Sequence, residues 1–323
     1  MVVEDKPLYE RPPKASEINN EKRHNQNRQG GINLLYLENE RLKVEIQTPG
    51  SFYNGARFDW TGFISQITLD DSVRYCAPER LEAGKGTGGH GLCNEFGLDK
   101  PIGYDEIEVG ELFPKIGTGL LKKEQNAAYD IFHPYEMTPA NMNVEEKDDA
   151  IIFDVRDASP GGYGYHLNKA ITLEDNRLII SYQLTNTGSK PISTNEYSHN
   201  FIGINDRYLS EEYQLTIPGL KNIDVVVGSI LKTGDRLTFP VTPDDDVYAG
   251  IEWNAQTGSY NWDVFHAEVG AGVREHSVFE PSKMALWGHT HVVCPEIFID
   301  IELAVNETKS WQRVYEFYQE TKA

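Results

Sequence analysis

The chain has 323 residues, of which 39% are hydrophobic and 11% are aromatic. This is enough apolar material for a sizeable core, which excludes collagen-like, fully disordered and disulfide-framework proteins. The 30 Lys and Arg residues and 50 Asp and Glu residues give a formal net charge of −20. Because such a surface repels phosphate backbones and anionic lipid, we expect neither a nucleic acid nor a membrane as a partner.

The cysteines and the start of the chain indicate the compartment. Cys76, Cys93 and Cys294 are far apart and form no CxxC pair. An odd, dispersed set is typical of a reducing compartment rather than of a disulfide scaffold. The first residues lack the basic-then-apolar pattern of a signal peptide, and no stretch of about 18 apolar residues predicts a transmembrane helix. The sequence therefore favours a cytoplasmic protein.

Taken in chain order, the sequence begins with a polar segment. Residues 1–31 contain three prolines and end in two glycines, which predicts an N-terminal arm without a core of its own. One domain is expected over residues 32–323. Its short alternating or β-branched runs, separated by turn residues, predict strands. The clearest runs lie at 34–37, 42–46, 151–155, 165–173, 178–184, 297–304 and 311–317.

The pattern of these runs indicates the fold class. No segment of about 12 residues has a clean helical period. The last two runs flank a turn at 306–308 and repeat the strand–turn–strand pattern seen earlier in the chain. Many strands, without an internal repeat or a break in composition, predict an all-β protein built as a large antiparallel sandwich.

Two motifs suggest chemistry that their context does not favour. Residues 84–89 match GxGxxG, but a dinucleotide site needs a strand before and a helix after the motif. The residues after this motif are loop-like, so close backbone packing is favoured. His289 and His291 would face one side of a strand and could share a metal ion. Because no further ligands are evident, hydrogen-bonded histidines are favoured, and no metal or other cofactor is expected.

The most informative stretch is the strand that comes after an Asn-Thr-Gly turn at 186–188. Alternation along this strand places Tyr197, His199 and Phe201 on one face. A titratable imidazole between two aromatic rings suits the apolar face of a sugar beside a proton donor. These residues therefore form the first half of a candidate site.

Glu296 forms the second half of that candidate site. It comes directly after Pro295 among strand-forming apolar residues. A carboxylate in such surroundings is expected to have a raised pKa, which suits a general base that works near neutral pH. A salt-bridged residue on a sheet edge is the alternative interpretation of Glu296 taken alone.

Together, these stretches resemble motifs of the aldose 1-epimerase (galactose mutarotase-like) superfamily, with some resemblance to hexose-6-phosphate epimerases. The motifs, in the family's order, are the strand with Tyr197 and His199, an Asp-x-Val-Tyr segment at 245–248, and the Cys-Pro-Glu run at 294–296 followed by Leu303 and Trp311. The similarity covers about residues 33–318. It implies a β-supersandwich that binds a monosaccharide or sugar derivative in a cleft on one sheet.

The resemblance also implies roles for individual residues. His199 would be the general acid that protonates the ring oxygen, and Glu296 the general base that takes the anomeric hydroxyl proton. Asp245 would hydrogen-bond sugar hydroxyls, and Tyr197 would line the sugar site. The implied activity is interconversion of the α and β anomers of a monosaccharide, which acid–base catalysis achieves without a cofactor.

The front half of the chain offers further candidates. Arg57 is either a clamp for a carboxylate or phosphate on the sugar or a packed surface residue. His90, in the glycine-rich loop, is a candidate for contact with the sugar. Lys115, near Gly117 and Gly119, is a candidate partner for an anionic substituent of the sugar, but a position in a solvated loop is favoured.

Two other functions remain open on the sequence alone. One is a non-catalytic carbohydrate-binding or regulatory module on the same fold, since a fold does not determine function. The other is a glycoside-processing enzyme, which would need two suitably spaced carboxylates. The sequence leaves the sugar and the oligomeric state undetermined.

Overall fold

The computed structural model describes residues 34–254 and 260–320, and the predicted arm at 1–31 lies outside them. The described residues form 23 strands and two short 3₁₀ turns, at Tyr104–Glu106 and Ile204–Asp206. The strands are β1 (Leu34–Glu38), β2 (Leu42–Gln47), β3 (Ile64–Leu69), β4 (Val73–Arg74), β5 (Leu92–Phe96), β6 (Leu112–Lys115), β7 (Gly119–Lys122), β8 (Met137–Pro139), β9 (Asn141–Glu146), β10 (Ala150–Ala158), β11 (Gly164–Glu174), β12 (Arg177–Asn186), β13 (Ile192–Asn200), β14 (Tyr213–Thr216), β15 (Leu220–Val227), β16 (Leu231–Thr233), β17 (Arg236–Thr238), β18 (Val247–Trp253), β19 (Trp262–His266), β20 (Ala271–Ser277), β21 (Lys283–His289), β22 (Val292–Leu303) and β23 (Thr308–Gln319).

The strands form two large antiparallel sheets and one small one. The first sheet has the order β1-β2-β3-β5-β13-β22-β21-β18-β15, with β4 paired to β3. The second has the order β16-β17-β14-β19-β20-β23-β12-β11-β10-β9, and β6, β7 and β8 form the third. The predicted all-β sandwich is confirmed. Among the described residues, no helix is long and apolar enough to cross a membrane.

The last two strands flank a turn, as the sequence predicts, but they do not pair with each other as a hairpin. The two strands lie in different sheets: β22 pairs with β13 and β21, whereas β23 pairs with β12 and β20. The turn between them contains Asn306 at φ 64°, a left-handed conformation that Asn tolerates. The backbone N–H of Asn306 donates to the carbonyl of Asn186. This turn therefore carries the chain from one sheet to the other.

The central strand β13 is buried on both of its faces. Its residues Glu196, Ser198 and Asn200 face the second sheet, where Asn200 accepts a hydrogen bond from the Tyr315 hydroxyl. Because side chains alternate along a strand, Tyr197 and His199 face the opposite, outer side of the first sheet. The β6–β8 sheet reaches that side, where Lys115 contacts Glu95.

A chain of buried charges joins the two large sheets. The Arg313 guanidinium of β23 donates to Glu196 of β13 at 2.9 Å and to Glu275 of β20 at 2.7 Å. All three side chains have no exposed surface. The Lys169 ammonium of β11 donates to Asn94 of β5 at 2.8 Å. Charges removed from water are stable only when they are paired, so these contacts fix how the sheets face each other.

Replacing Arg313 with Met should strongly destabilise the folded protein. The change leaves Glu196 and Glu275 buried without their cation, which costs about 3–5 kcal/mol of unfolding free energy. Urea unfolding followed by tryptophan fluorescence measures this loss. The exposed Arg177 of β12, 3.7 Å from Glu316, is the control, because loss of a surface ion pair costs about 0–1 kcal/mol. Equal losses in the two variants would contradict a structural role for the buried network.

Candidate active site

Strand register brings the two predicted catalytic residues together. In the β13–β22 ladder, Tyr197 lies opposite Phe298. Continuing that register by two residues on each strand places His199 opposite Glu296. The ladder stops before this point and resumes where Ile202 bridges Val293. The ladder is interrupted here because Pro295 has no backbone N–H to donate to β13. The Pro295 carbonyl instead accepts a hydrogen bond from the Asn200 side-chain amide at 2.6 Å.

His199 and Glu296 form a buried pair. The His199 Nε2 atom lies 3.1 Å from the Glu296 Oε1 atom. The residues are 5% and 6% exposed, so both side chains are almost entirely removed from solvent. The Phe201 ring stacks on the imidazole with centroids 4.0 Å apart, and the Trp287 and Phe58 rings meet it edge-on at 5.5 and 6.0 Å. The predicted shared face of Tyr197, His199 and Phe201 is therefore present.

Burial determines the protonation state of the pair through the pKa of each group. Removal from water raises the pKa of Glu296 to about 8, although the Arg57 charge opposes this rise. Burial lowers the pKa of His199 well below its usual value, and the Arg57 charge lowers it further. Near neutral pH the pair therefore carries one proton, and the uncharged arrangement of carboxylic acid and neutral imidazole is favoured.

Arg57 lies beside the pair and is held by three protein groups. Its Nε atom donates to Glu95 at 2.9 Å, Nη1 donates to Thr87 at 3.0 Å, and Nη2 donates to the Tyr197 hydroxyl at 3.1 Å. The guanidinium carbon lies 4.6 Å from the centre of the Phe58 ring. Its side chain is 11% exposed. Arg57 is thus neither a packed surface residue nor a side chain free to follow a ligand.

Glu95 of β5 is the centre of this second cluster. One oxygen accepts from both Arg57 and the Tyr197 hydroxyl, and the other accepts from the Lys115 ammonium at 3.2 Å. Lys115 also donates to the Tyr129 hydroxyl at 2.9 Å. The expectation that Lys115 lies in a solvated loop is wrong. It is buried in β6, because a buried carboxylate needs a cation beside it.

The glycine-rich loop at 84–89 encloses a carboxylate of the protein itself. The Thr87 N–H, the Thr87 hydroxyl and the Gly89 N–H donate to Glu79 at 2.6, 2.9 and 3.1 Å. Gly86 has φ +73°, and a Cβ atom there would lie 2.6 Å from the Glu79 carboxyl carbon. The backbone N–H groups of the loop are arranged as in an anion-binding site, but the Glu79 carboxylate occupies that position. This arrangement also orients Thr87 toward Arg57.

His90 lies apart from the pair. It lines a cavity of about 150 Å³ with Arg74, Cys76 and His291, among other residues. Burial lowers the pKa of His90 to about 4. Its expected contact with the sugar stays a prediction, since neither His199 nor Glu296 is among the described residues that line this cavity.

The predicted sugar ligand Asp245 is exposed, whereas its neighbour Asp246 is half-buried. Asp246 forms a two-point ion pair with Arg80, at 2.6 and 2.9 Å. The Arg80 guanidinium lies 5.3 Å from the centre of the Trp287 ring, and that ring contacts His199. Asp246 and Arg80 were not selected from the sequence, because their distance to His199 depends on strand pairings that sequence patterns do not specify.

The histidines proposed as metal ligands do not share a strand. His289 ends β21, whereas His291 lies in the turn to β22 and its Nε2 atom donates to the Pro78 carbonyl at 2.7 Å. In the described residues, ligand atoms of Asp245, Asp246 and His289 lie within 4.8 Å of one another. Arg80 already neutralises Asp246, so a cation there would have to displace the guanidinium.

Comparison with known proteins agrees with this architecture. Neither a protein-family model nor a curated protein sequence matches the chain. Among solved structures, a galactose mutarotase-like protein from Lactobacillus casei is 14% identical, with a TM-score of 0.58 over 88% of this chain and 100% of that chain. The chain has the galactose mutarotase-like fold. A galactose mutarotase related enzyme from Lactobacillus acidophilus (12% identity, TM-score 0.55, covering 88% and 97%) and a GalM/aldose epimerase homologue from C. elegans (11%, 0.52, 90% and 100%) share it.

Replacing Glu296 with Gln should stabilise the protein more at high pH than at low pH. Because the folded-state pKa of Glu296 is raised to about 8, its contribution to stability is full below about pH 4.5 and is lost as the pH rises through 8. Gln does not titrate. Relative to the wild type, the variant should therefore gain up to about 4 kcal/mol between pH 5 and pH 9, measured by urea unfolding. An equal difference at both pH values would show that this carboxyl titrates as it does in solution.

Proposed function

We propose that the protein is an aldose 1-epimerase-type isomerase that interconverts the α and β anomers of a monosaccharide. The observation that carries this proposal is the 3.1 Å contact between His199 Nε2 and Glu296 Oε1 on an aromatic-lined face of the sheet. The ring oxygen and the anomeric hydroxyl of a sugar are bonded to the same carbon. Two proton-transfer groups this close together can therefore reach one oxygen each.

The reaction uses the one proton that the His199–Glu296 pair shares, and the pair has regained that proton when the ring closes again. Glu296, as carboxylate, takes the anomeric hydroxyl proton while His199, as imidazolium, protonates the ring oxygen. The bond between the anomeric carbon and the ring oxygen breaks, and a carbonyl forms. After rotation about the C1–C2 bond, Glu296 returns a proton to the carbonyl oxygen and His199 takes the proton of the attacking hydroxyl. The open-chain sugar thus faces the uncharged pair that burial favours.

The surroundings of the pair suit a sugar. The partly exposed Trp287 ring can cover the apolar C–H face of a pyranose, while the polar groups of the Arg57 cluster lie at one end. The fully buried Phe58 and Phe201 rings pack against the imidazole and hold it in place. We include Tyr197 and Arg57 as residues that line the sugar site. Asp245 remains a candidate only if its exposed side chain reaches a bound ligand.

A glycoside-processing role is less well supported. It requires two carboxyl groups that act on one glycosidic bond. Two buried carboxylates of the neighbouring cluster are already bound: Glu95 by Arg57, Lys115 and Tyr197, and Glu79 by Thr87 and Gly89. A non-catalytic sugar-binding module differs from the proposed isomerase in one measurable respect, the rate of anomer exchange.

Nuclear magnetic resonance of freshly dissolved α-glucose, α-galactose and their 6-phosphates measures that rate. The wild type should accelerate exchange of at least one sugar above the buffer rate. His199→Ala and Glu296→Gln should each reduce the acceleration by about 10²- to 10⁴-fold. The surface pair of His133 and Glu124, 2.6 Å apart, provides matched controls: His133→Ala and Glu124→Gln should exchange sugar at the wild-type rate. Exchange at the buffer rate with every sugar would leave only a binding role.

The pH dependence of kcat/KM should be bell-shaped, because only a pair with one proton is active. Activity should fall above about pH 8, where the raised pKa of Glu296 lies. It should fall at low pH only well below the usual histidine value, because burial lowers the pKa of His199. Exchange rates in buffers from pH 4 to 10 measure both limbs. A profile that is flat through pH 9.5 would rule out this assignment.

A further inference from the structure

A second buried cluster lies directly against the proposed catalytic pair. Glu95 pairs with Tyr197, and Cys93 pairs with His199, across the β5–β13 ladder. Glu95 and Tyr197 are therefore one step along the same outer face from His199 and Glu296, about 7 Å away at the spacing of alternate strand residues. The cluster consists of Glu95, Arg57, Lys115 and the hydroxyl of Tyr197.

The cluster holds two cations and one anion away from water. The side chains of Glu95, Lys115 and Arg57 are 0%, 2% and 11% exposed. Both Glu95 oxygens are occupied, so the carboxylate has a fixed position and holds the Arg57 guanidinium at 2.9 Å. Charges in such a place act on their neighbours with little screening by solvent.

The charged and titratable groups around Glu296 come from each neighbouring element. His199 contacts it from β13 and Tyr248 faces it from β18. Lys283 of β21 lies opposite Phe298, two residues along β22 from Glu296. Lys283 is largely exposed and is paired with Asp99 at 3.0 Å, so solvent screens its charge. The buried charges that act on the pair are therefore those of Arg57 and Glu95.

We propose that Glu95 is a positioning residue for the proposed isomerisation: its carboxylate fixes the Arg57 guanidinium beside the His199–Glu296 pair and, with it, balances the charge that the pair experiences. The inference rests on the proposed function. Arg57 alone would favour the Glu296 carboxylate and oppose the His199 imidazolium. Glu95 opposes the effect of Arg57 on Glu296, so the pair keeps its one proton to a higher pH than it would beside Arg57 alone.

Two substitutions with opposite consequences test this role. Glu95→Gln keeps the shape but removes the negative charge, so the high-pH limb of kcat/KM should move down by about one pH unit. Arg57→Met removes the positive charge and leaves Glu95 paired with Lys115, so the same limb should move up by a similar amount. A purely structural role would lower stability in both variants without moving the limb in opposite directions.

A second readout requires no substrate. The infrared band of the protonated Glu296 carboxyl is identified by its loss in Glu296→Gln, and its intensity against pH reports the Glu296 titration directly. The same downward and upward movements are expected in Glu95→Gln and Arg57→Met. If the band moves but no sugar is isomerised, the electrostatic role stands and the proposed function fails. If sugar is isomerised but the band and the limb stay in place, the role of Glu95 is wrong.

A surface ion pair on the third sheet provides the matched control. Lys122 and Glu136 lie 2.7 Å apart and are partly exposed. Glu136→Gln changes the net charge of the protein as Glu95→Gln does, but it should leave both readouts at their wild-type positions. Should Glu95→Gln fail to fold, Arg57→Met still decides the question, because an unmoved Glu296 titration in that folded variant overturns the proposal.

Discussion

The structure depends on the ionic contact between Arg313 of β23 and Glu196 of β13, which crosses the interior of the sandwich without access to water. Glu196 lies three residues before His199 on the same strand, and side chains on a strand alternate between faces. Holding Glu196 inward therefore holds His199 outward. A slip of one residue would turn the imidazole toward the second sheet and the carboxylate toward the outer face, together with all of their neighbours. The ion pair between the sheets thus fixes the face on which the site forms.

Two buried carboxylates on the outer face of the first sheet, Glu95 and Glu296, respond differently to their removal from water. Glu95 is buried but has enough donors to remain charged, whereas Glu296 is equally buried and has only an imidazole within hydrogen-bonding distance among the described side chains. The first carboxylate is held rigidly, and the second is driven toward its neutral form. The two carboxylates therefore differ in their number of partners and not in their depth.

Local patterns in the sequence predicted the strands and the face that carries Tyr197, His199 and Phe201, because alternation is a property of a single strand. They could not predict that β22 and β23 belong to different sheets, since that depends on pairing with strands distant in the chain. Lys115 was misplaced for the same reason: its partner, Glu95, lies on another sheet. His90 and Asp245 were selected from a loop and a resemblance, and neither feature specifies distance in space.

The proline beside Glu296 has a mechanical consequence. Between the Tyr197–Phe298 and Ile202–Val293 pairs, the two central strands are joined by an amide side chain in place of regular ladder bonds. Widening this short interval would break no backbone rung between these two strands, while the paired rungs above and below keep them aligned. The two strands are thus joined less regularly over the four residue pairs of this interval than along the ladder that precedes it.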